Sequence, residues 1–186
     1  TPEGAEIDNR SIPNGFQAPG HLEVLEDGST IVATRVRGSG TNVDSAAFIW
    51  PKDGLAMTEI ARVATGGSEA SEIRIRDLAV HTDGELTISF EAMARWDGRT
   101  ETIGFGIDRF AVEGERMTRS FRSQCGTRCP VAGVGDALRV ANLRSGQLQS
   151  LDADGEVAWS QAATGIEHLV TDADGRTYTC GDAVAA

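Results

Sequence analysis

His21, Asp77 and His168 occupy one place in a repeated pattern. Each lies six residues ahead of the aspartate of an Asp-Gly pair, at Asp27-Gly28, Asp83-Gly84 and Asp174-Gly175. Two imidazoles and a carboxylate brought together would hold a divalent metal or orient a small polar ligand. The plainer reading of the same residues is a set of strand starts that face solvent. What decides between the two is whether the repeats converge in space.

The cysteines offer a second chemistry. Cys125 and Cys129 lie in CGTRC before Pro130, and Cys180 lies in YTCGD. Three cysteines cannot all pair within one chain, so one disulfide and one leftover thiol is the simplest arrangement. A zinc site using all three with His168 would need the uncommon CxxxC spacing. Three reduced, buried thiols complete the alternatives, and the disulfide reading points to an oxidising compartment. Arg116, Arg119, Arg122 and Arg128 gather around the same loop, with Arg109 upstream. They would pair with carboxylates on an adjoining sheet or meet an acidic partner.

Other constellations are missing from the sequence. It contains no GxSxG, no HExxH and no phosphate-binding glycine loop. Glu101, Asp108 and Glu167 cannot be singled out as acid or base in so acidic a chain. The two DADG segments, from Asp152 and Asp172, resemble calcium-loop openings. The twelfth position counted from each is Ala163 or Ala183, which cannot supply the closing carboxylate. Plain turns are expected at both.

The elements that carry these residues read as strands. Asp-Gly supplies the positive φ angles of two-residue hairpin turns, and it recurs at 27, 53, 83, 97, 154 and 174, with Asp136-Ala137 as a seventh turn. Between the turns lie TIVATRV (30–36), AAFIW (46–50), LTISFEA (86–92), TIGFGI (102–107), LRVANL (138–143), EVAWS (156–160) and RTYTC (176–180). The segment 69–81 alternates Ile73, Ile75 and then Leu78, Val80, which again favours strand over helix. The chain is therefore expected to be all-β.

Aligning the turns exposes a repeat: HLEVLEDG (21–28), DLAVHTDG (77–84) and HLVTDADG (168–175), with PVAGVGDA (130–137) fitting more loosely. Units start 56, 53 and 38 residues apart, each opening a run of further strands. That order describes antiparallel blades of a β-propeller, about three and a half units of it, over a single domain at 21–186. Residues 1–20, with Pro2, Pro13 and Pro19, read as an extended N-terminal arm able to complete the last unit. A β-sandwich built from the same hairpins is the alternative architecture.

One unit is more specific. GQLQSLDADGEVAWS (146–160), followed by DGRTYTCG (174–181), resembles the repeats of pyrroloquinoline-quinone-type propellers. Leu151-Asp152, Gly155 and Trp159 hold the places of that family's Ala-x-Asp pair, its turn glycine and its docking tryptophan. The resemblance implies a Trp159 packed against a neighbouring blade. It does not imply a quinone enzyme, because the cofactor positions have no counterpart here. The other units are similar to the Asp-Gly repeats of bacterial secreted propellers.

Composition bounds the rest. With 186 residues, 17 Lys plus Arg and 28 Asp plus Glu, the chain carries a net charge of −11. That acidity argues against general nucleic-acid binding, and no stretch approaches the roughly 20 apolar residues of a membrane span. The segment at Thr1 has no apolar leader core, so a leader is expected to have been removed or never present. Repeats without an evident catalytic constellation point to a non-catalytic exported module, periplasmic or extracellular. It would recognise a protein or glycan partner through its loops. One alternative is a metal-assisted hydrolase or lyase using His21, Asp77 and His168. The other is an assembly subunit that completes a ring with another chain, a homo-oligomer included.

Overall fold

The computed structural model describes residues 20–186, apart from 55, 66–68, 82–83, 114–115, 126, 173, 182–183 and 186. The side chains of 112–124, 184 and 185 also lie outside the description. Residues 1–19 of the expected arm, Asp83, and the side chains of Arg116, Arg119 and Arg122 fall outside it too.

The described residues are all-β, with no helix among them. A first antiparallel meander runs through β1 (His21–Val24), β2 (Thr30–Arg37), β3 (Val43–Trp50) and β4 (Thr58–Val63). A second runs through β5 (Glu72–Val80), β6 (Leu86–Trp96), β7 (Arg99–Glu113) and β8 (Arg116–Cys125). A single parallel bridge, Val43 to Glu72, joins these two into one hydrogen-bonded sheet. The third meander comprises β9 (Val131–Val134), β10 (Ala137–Asn142), β11 (Gln147–Leu151) and β12 (Val157–Thr164), with β15 (Val184–Ala185) on its outer edge. A two-stranded hairpin, β13 (His168–Thr171) with β14 (Thr177–Cys180), follows it in the chain.

The turns depart from the expected two-residue class. In Leu25–Ser29, His81–Glu85, Asp152–Glu156 and Asp172–Arg176 the flanking residues are hydrogen-bonded across a three-residue loop. The last loop residue is a glycine at positive φ in each: 83° at Gly28, 84° at Gly84, 85° at Gly155 and 78° at Gly175. A three-residue loop closed by a left-handed glycine needs one residue more than the expected turn. Two loops have two residues: Asp97-Gly98, with both residues at positive φ and Trp96 paired to Arg99, and Gly135-Asp136, which joins Val134 to its partner Ala137. In the two DADG loops the aspartates are structural. Asp152 accepts the backbone N–H groups of Asp154 and Glu156, and Asp172 accepts those of Asp174 and Arg176. The side-chain oxygens thus satisfy loop donors that no strand partner reaches.

Each apolar cluster lies between successive meanders. Ile31 and Val63 of the first meet Ile73, Leu86, Ile88 and Phe110 of the second. Ala79 and Ile107 of the second meet Val131, Leu138 and Val140 of the third. Ala132 and Ala141 of the third meet Ile166 and Leu169 at the last hairpin. Alternation along each strand creates these faces, because period-2 side chains send every second residue to the same side. Packing of one sheet on the next then brings the four first strands side by side: β1 against β5, β5 against β9, β9 against β13.

Candidate active site at the first strands

The first strands β5 and β9 approach closely at Gly133. A Cβ on Gly133 would stand 2.8 Å from the Val80 carbonyl oxygen, so any side chain there would force the strands apart. Asp77 spans the same gap: one carboxylate oxygen accepts the Val131 N–H at 3.0 Å and the other accepts the Leu78 N–H at 3.0 Å. His81, buried nearby, reaches Thr87 Oγ1 at 2.8 Å and the Gly135 carbonyl at 3.2 Å. Thr171 of β13 donates to the Gly133 carbonyl. These polar ties hold β5, β9 and β13 in register without a shared sheet.

His21 lies against this junction from β1. Its half-buried imidazole hydrogen-bonds the Arg76 carbonyl and lies in the electrostatic field of Asp77. Burial lowers its pKa below the ordinary value. Asp77 opposes that shift, while Arg128 and Arg76 reinforce it. The ring is thus neutral near neutral pH. Asp77 is pushed upward, first by burial, against its two backbone hydrogen bonds and the charges of His21 and Arg128. Glu23, further along β1, is also raised by burial and by Asp77. One imidazole, two carboxylates and two guanidiniums therefore share a small region.

His21 and Asp77 are brought together in this way, whereas His168 opens β13 exposed and paired with Cys180. Among the described residues, no group of three or more His, Cys, Asp or Glu is placed to hold a metal ion. The three-ligand site expected from the repeat is therefore not formed. The spacing places equivalent residues on equivalent strands, but exposure at β13 leaves His168 outside the enclosed corner. Pro130 fills the corresponding place in the third unit and has no polar side chain to contribute.

Of the remaining candidates, Cys125 and Cys129 lie at disulfide distance and Cys180 is free and exposed. The zinc arrangement with all three thiols is thereby excluded, and the pair is consistent with an oxidising compartment. Among the described residues, Trp159 belongs to no buried cluster shared with a neighbouring sheet. It is 39% exposed, and the Arg139 guanidinium of its own sheet lies 4.9 Å from the ring centroid. Arg109 is fully buried and bonded to Glu85 and to the Asp136 carbonyl. No helix among the described residues is long and apolar enough to cross a membrane.

Sequence reading missed three arginines. Arg74 and Arg76 of β5 and Arg35 of β2 line a cleft of about 170 Å³ beside Gly20. Glu72 and the buried Glu91 engage them. The alternation in EIRIRD was a signal for two of the three, since residues two apart on a strand share a face.

No protein-family model and no curated protein sequence matches the chain. Solved structures do. A candidate 6-phosphogluconolactonase from Bacteroides fragilis NCTC 9343 is 18% identical, with a TM-score of 0.41, over 90% of this chain and 39% of its own. A second, from Bacteroides uniformis ATCC 8492, is 12% identical, with a TM-score of 0.24, over 89% of this chain and 54% of its own. This chain thus spans well under two thirds of either. Both are described as enzymes, which runs against the expectation of a non-catalytic binding module. The protein or glycan partner and the ring-completing second copy gain no support from the geometry.

Proposed function

We propose that this chain acts as a hydrolase, with His21 as the proton-transfer residue, on an exported propeller-type scaffold. The observation that carries the reading is the neutral, half-buried His21 held beside Asp77 where three first strands meet. A neutral imidazole carries one N–H donor and one acceptor nitrogen. That acceptor takes a proton from a water attacking an acyl carbon and returns it to the departing oxygen. The imidazolium formed in between is stabilised by the electrostatic field of the Asp77 carboxylate, without a direct hydrogen bond between the two. Successive meanders with adjacent first strands support the propeller scaffold, and the Cys125–Cys129 pair supports export.

The test is turnover of chromogenic carboxylic esters and small lactones by the wild-type chain and by His21→Gln. Wild type should show hydrolysis whose rate falls on the acid side as the imidazole protonates. His21→Gln should lose about 10²- to 10⁴-fold in kcat/KM, with an unchanged circular dichroism spectrum. Equal rates in the two proteins, or no turnover of any substrate, would refute the reading.

A further inference from the structure

The cleft beside Gly20 is lined by three arginines in a chain whose net charge is −11. Arg35 and Arg74 converge on one oxygen of Glu72, at 3.0 and 2.6 Å. Two guanidiniums that share an oxygen are close enough together for one ligand group to bridge them. Arg76 lies two residues further along the strand and is held by Glu91, which is only 5% exposed and also accepts from Thr102. Asp77 and Glu23 lie further along, so the excess of positive charge is confined to the lining itself, which holds three guanidiniums and no carboxylate.

The arginines are held in place but not used up. Arg35 bonds through one terminal nitrogen, Arg74 through Nε, and Arg76 through Nε and one terminal nitrogen. Terminal N–H groups remain on all three, and the side chains are 37–39% exposed at the cleft. Planar forks of this kind match oxyanions bidentately, and fixing them beforehand lowers the entropy lost on binding. At about 10–15 Å³ for each water-sized group, a cleft of 170 Å³ takes a ligand of roughly 11–17 heavy atoms.

We infer that Arg35, Arg74 and Arg76 form a binding site for the oxyanion group, carboxylate or phosphoryl, of a small ligand. Gly20 and Arg76, which line the cleft, are the chain neighbours of His21 and Asp77. Neither His21 nor Asp77 is among the lining residues, so anion binding here is independent of the hydrolase reading.

Titration calorimetry at low salt tests the site, with tartrate, inorganic phosphate and uncharged glycerol as probes. Wild type should bind tartrate or phosphate saturably and glycerol not at all. Tartrate alone would assign a carboxylate ligand, and phosphate alone a phosphoryl one. The Arg35→Gln/Arg74→Gln pair should weaken binding at least tenfold, and Arg144→Gln, at an exposed turn elsewhere, should leave it unchanged. Arg35→Lys/Arg74→Lys keeps the charge that Glu72 needs for folding, and should still bind more weakly because the fork is lost. No binding of either anion, or wild-type binding in both double variants, would overturn the inference. His21→Gln should bind the anions as wild type does, so a failed hydrolase and a failed anion site give different results.

Discussion

The contact between the first two meanders and the contact at the last hairpin use the same local chemistry but differ in depth. Both rest on strands bounded by three-residue loops that end in a left-handed glycine. At the first contact Leu86 and Ile88 are fully buried, and eight further residues join them in one cluster. At the last, Ile166 and Leu169 meet only Ala132 and Ala141 among fully enclosed residues, while Val170 and Tyr178 are 60% and 54% exposed. In the third meander, β12 is exposed along nearly its whole length. Turn residues therefore determine where strands reverse, and a second sheet determines whether a strand's apolar face is enclosed.

Core truncation should show that difference most strongly. Ile88→Ala should cost about 2–5 kcal/mol by urea unfolding, and Leu169→Ala should fall at or below the lower end of that range. Val157→Ala, at 53% exposure, should stay within about 0.5 kcal/mol. Equal losses at Ile88 and Leu169 would break the comparison.

The junction between the second and third meanders gives a smaller effect. Cys129 is buried there, and its carbonyl accepts the Ser89 hydroxyl at 2.7 Å. Replacing Cys125 and Cys129 by serine should lower stability by about 2 kcal/mol, as closure of so short a loop implies. Reductant should mimic this loss in wild type and change nothing in the double variant. A reductant effect that persists there would move the redox sensitivity to Cys180.

The smallest effect is a pH slope at the junction of the first two meanders. The folded state holds His21 below its ordinary value of 6.5, so folded chains bind fewer protons than unfolded ones below that pH. Its contribution to stability is complete above 6.5 and is lost as pH falls through the window beneath it. Asp77 titrates in the same corner from the other side, with Glu23, Arg76 and Arg128 as the neighbouring charges. Unfolding midpoints in denaturant from pH 7.5 down to about 5.5 should decline in wild type and decline less in His21→Gln. Identical slopes would place the imidazole in open solvent.

Particular residues mark how much was legible in advance. Alternation and Asp-Gly pairs located β2, β6, β10 and β14 closely, because both act within a few residues. Asp97-Gly98 formed the expected turn, while the loops at Gly28, Gly84, Gly155 and Gly175 took one residue more. His21 and Asp77 were found through the repeat. The partners Arg35, Glu72 and Glu91 of the cleft were not, since nothing in a repeat reports which distant strand packs alongside. Trp159 carried a family pattern, yet its ring lies under Arg139 of the same sheet.

The sequence by itself determined an all-β chain, the reversal points and the acidic balance, since each follows from local dihedral preference or from counting charges. Only the tertiary structure decided that His21 meets Asp77 while His168 stays exposed, and that three arginines share one cleft. Those outcomes depend on which sheet faces pack and how closely. Burial and electrostatic fields arise between residues far apart in the chain, so they exist only once it has folded.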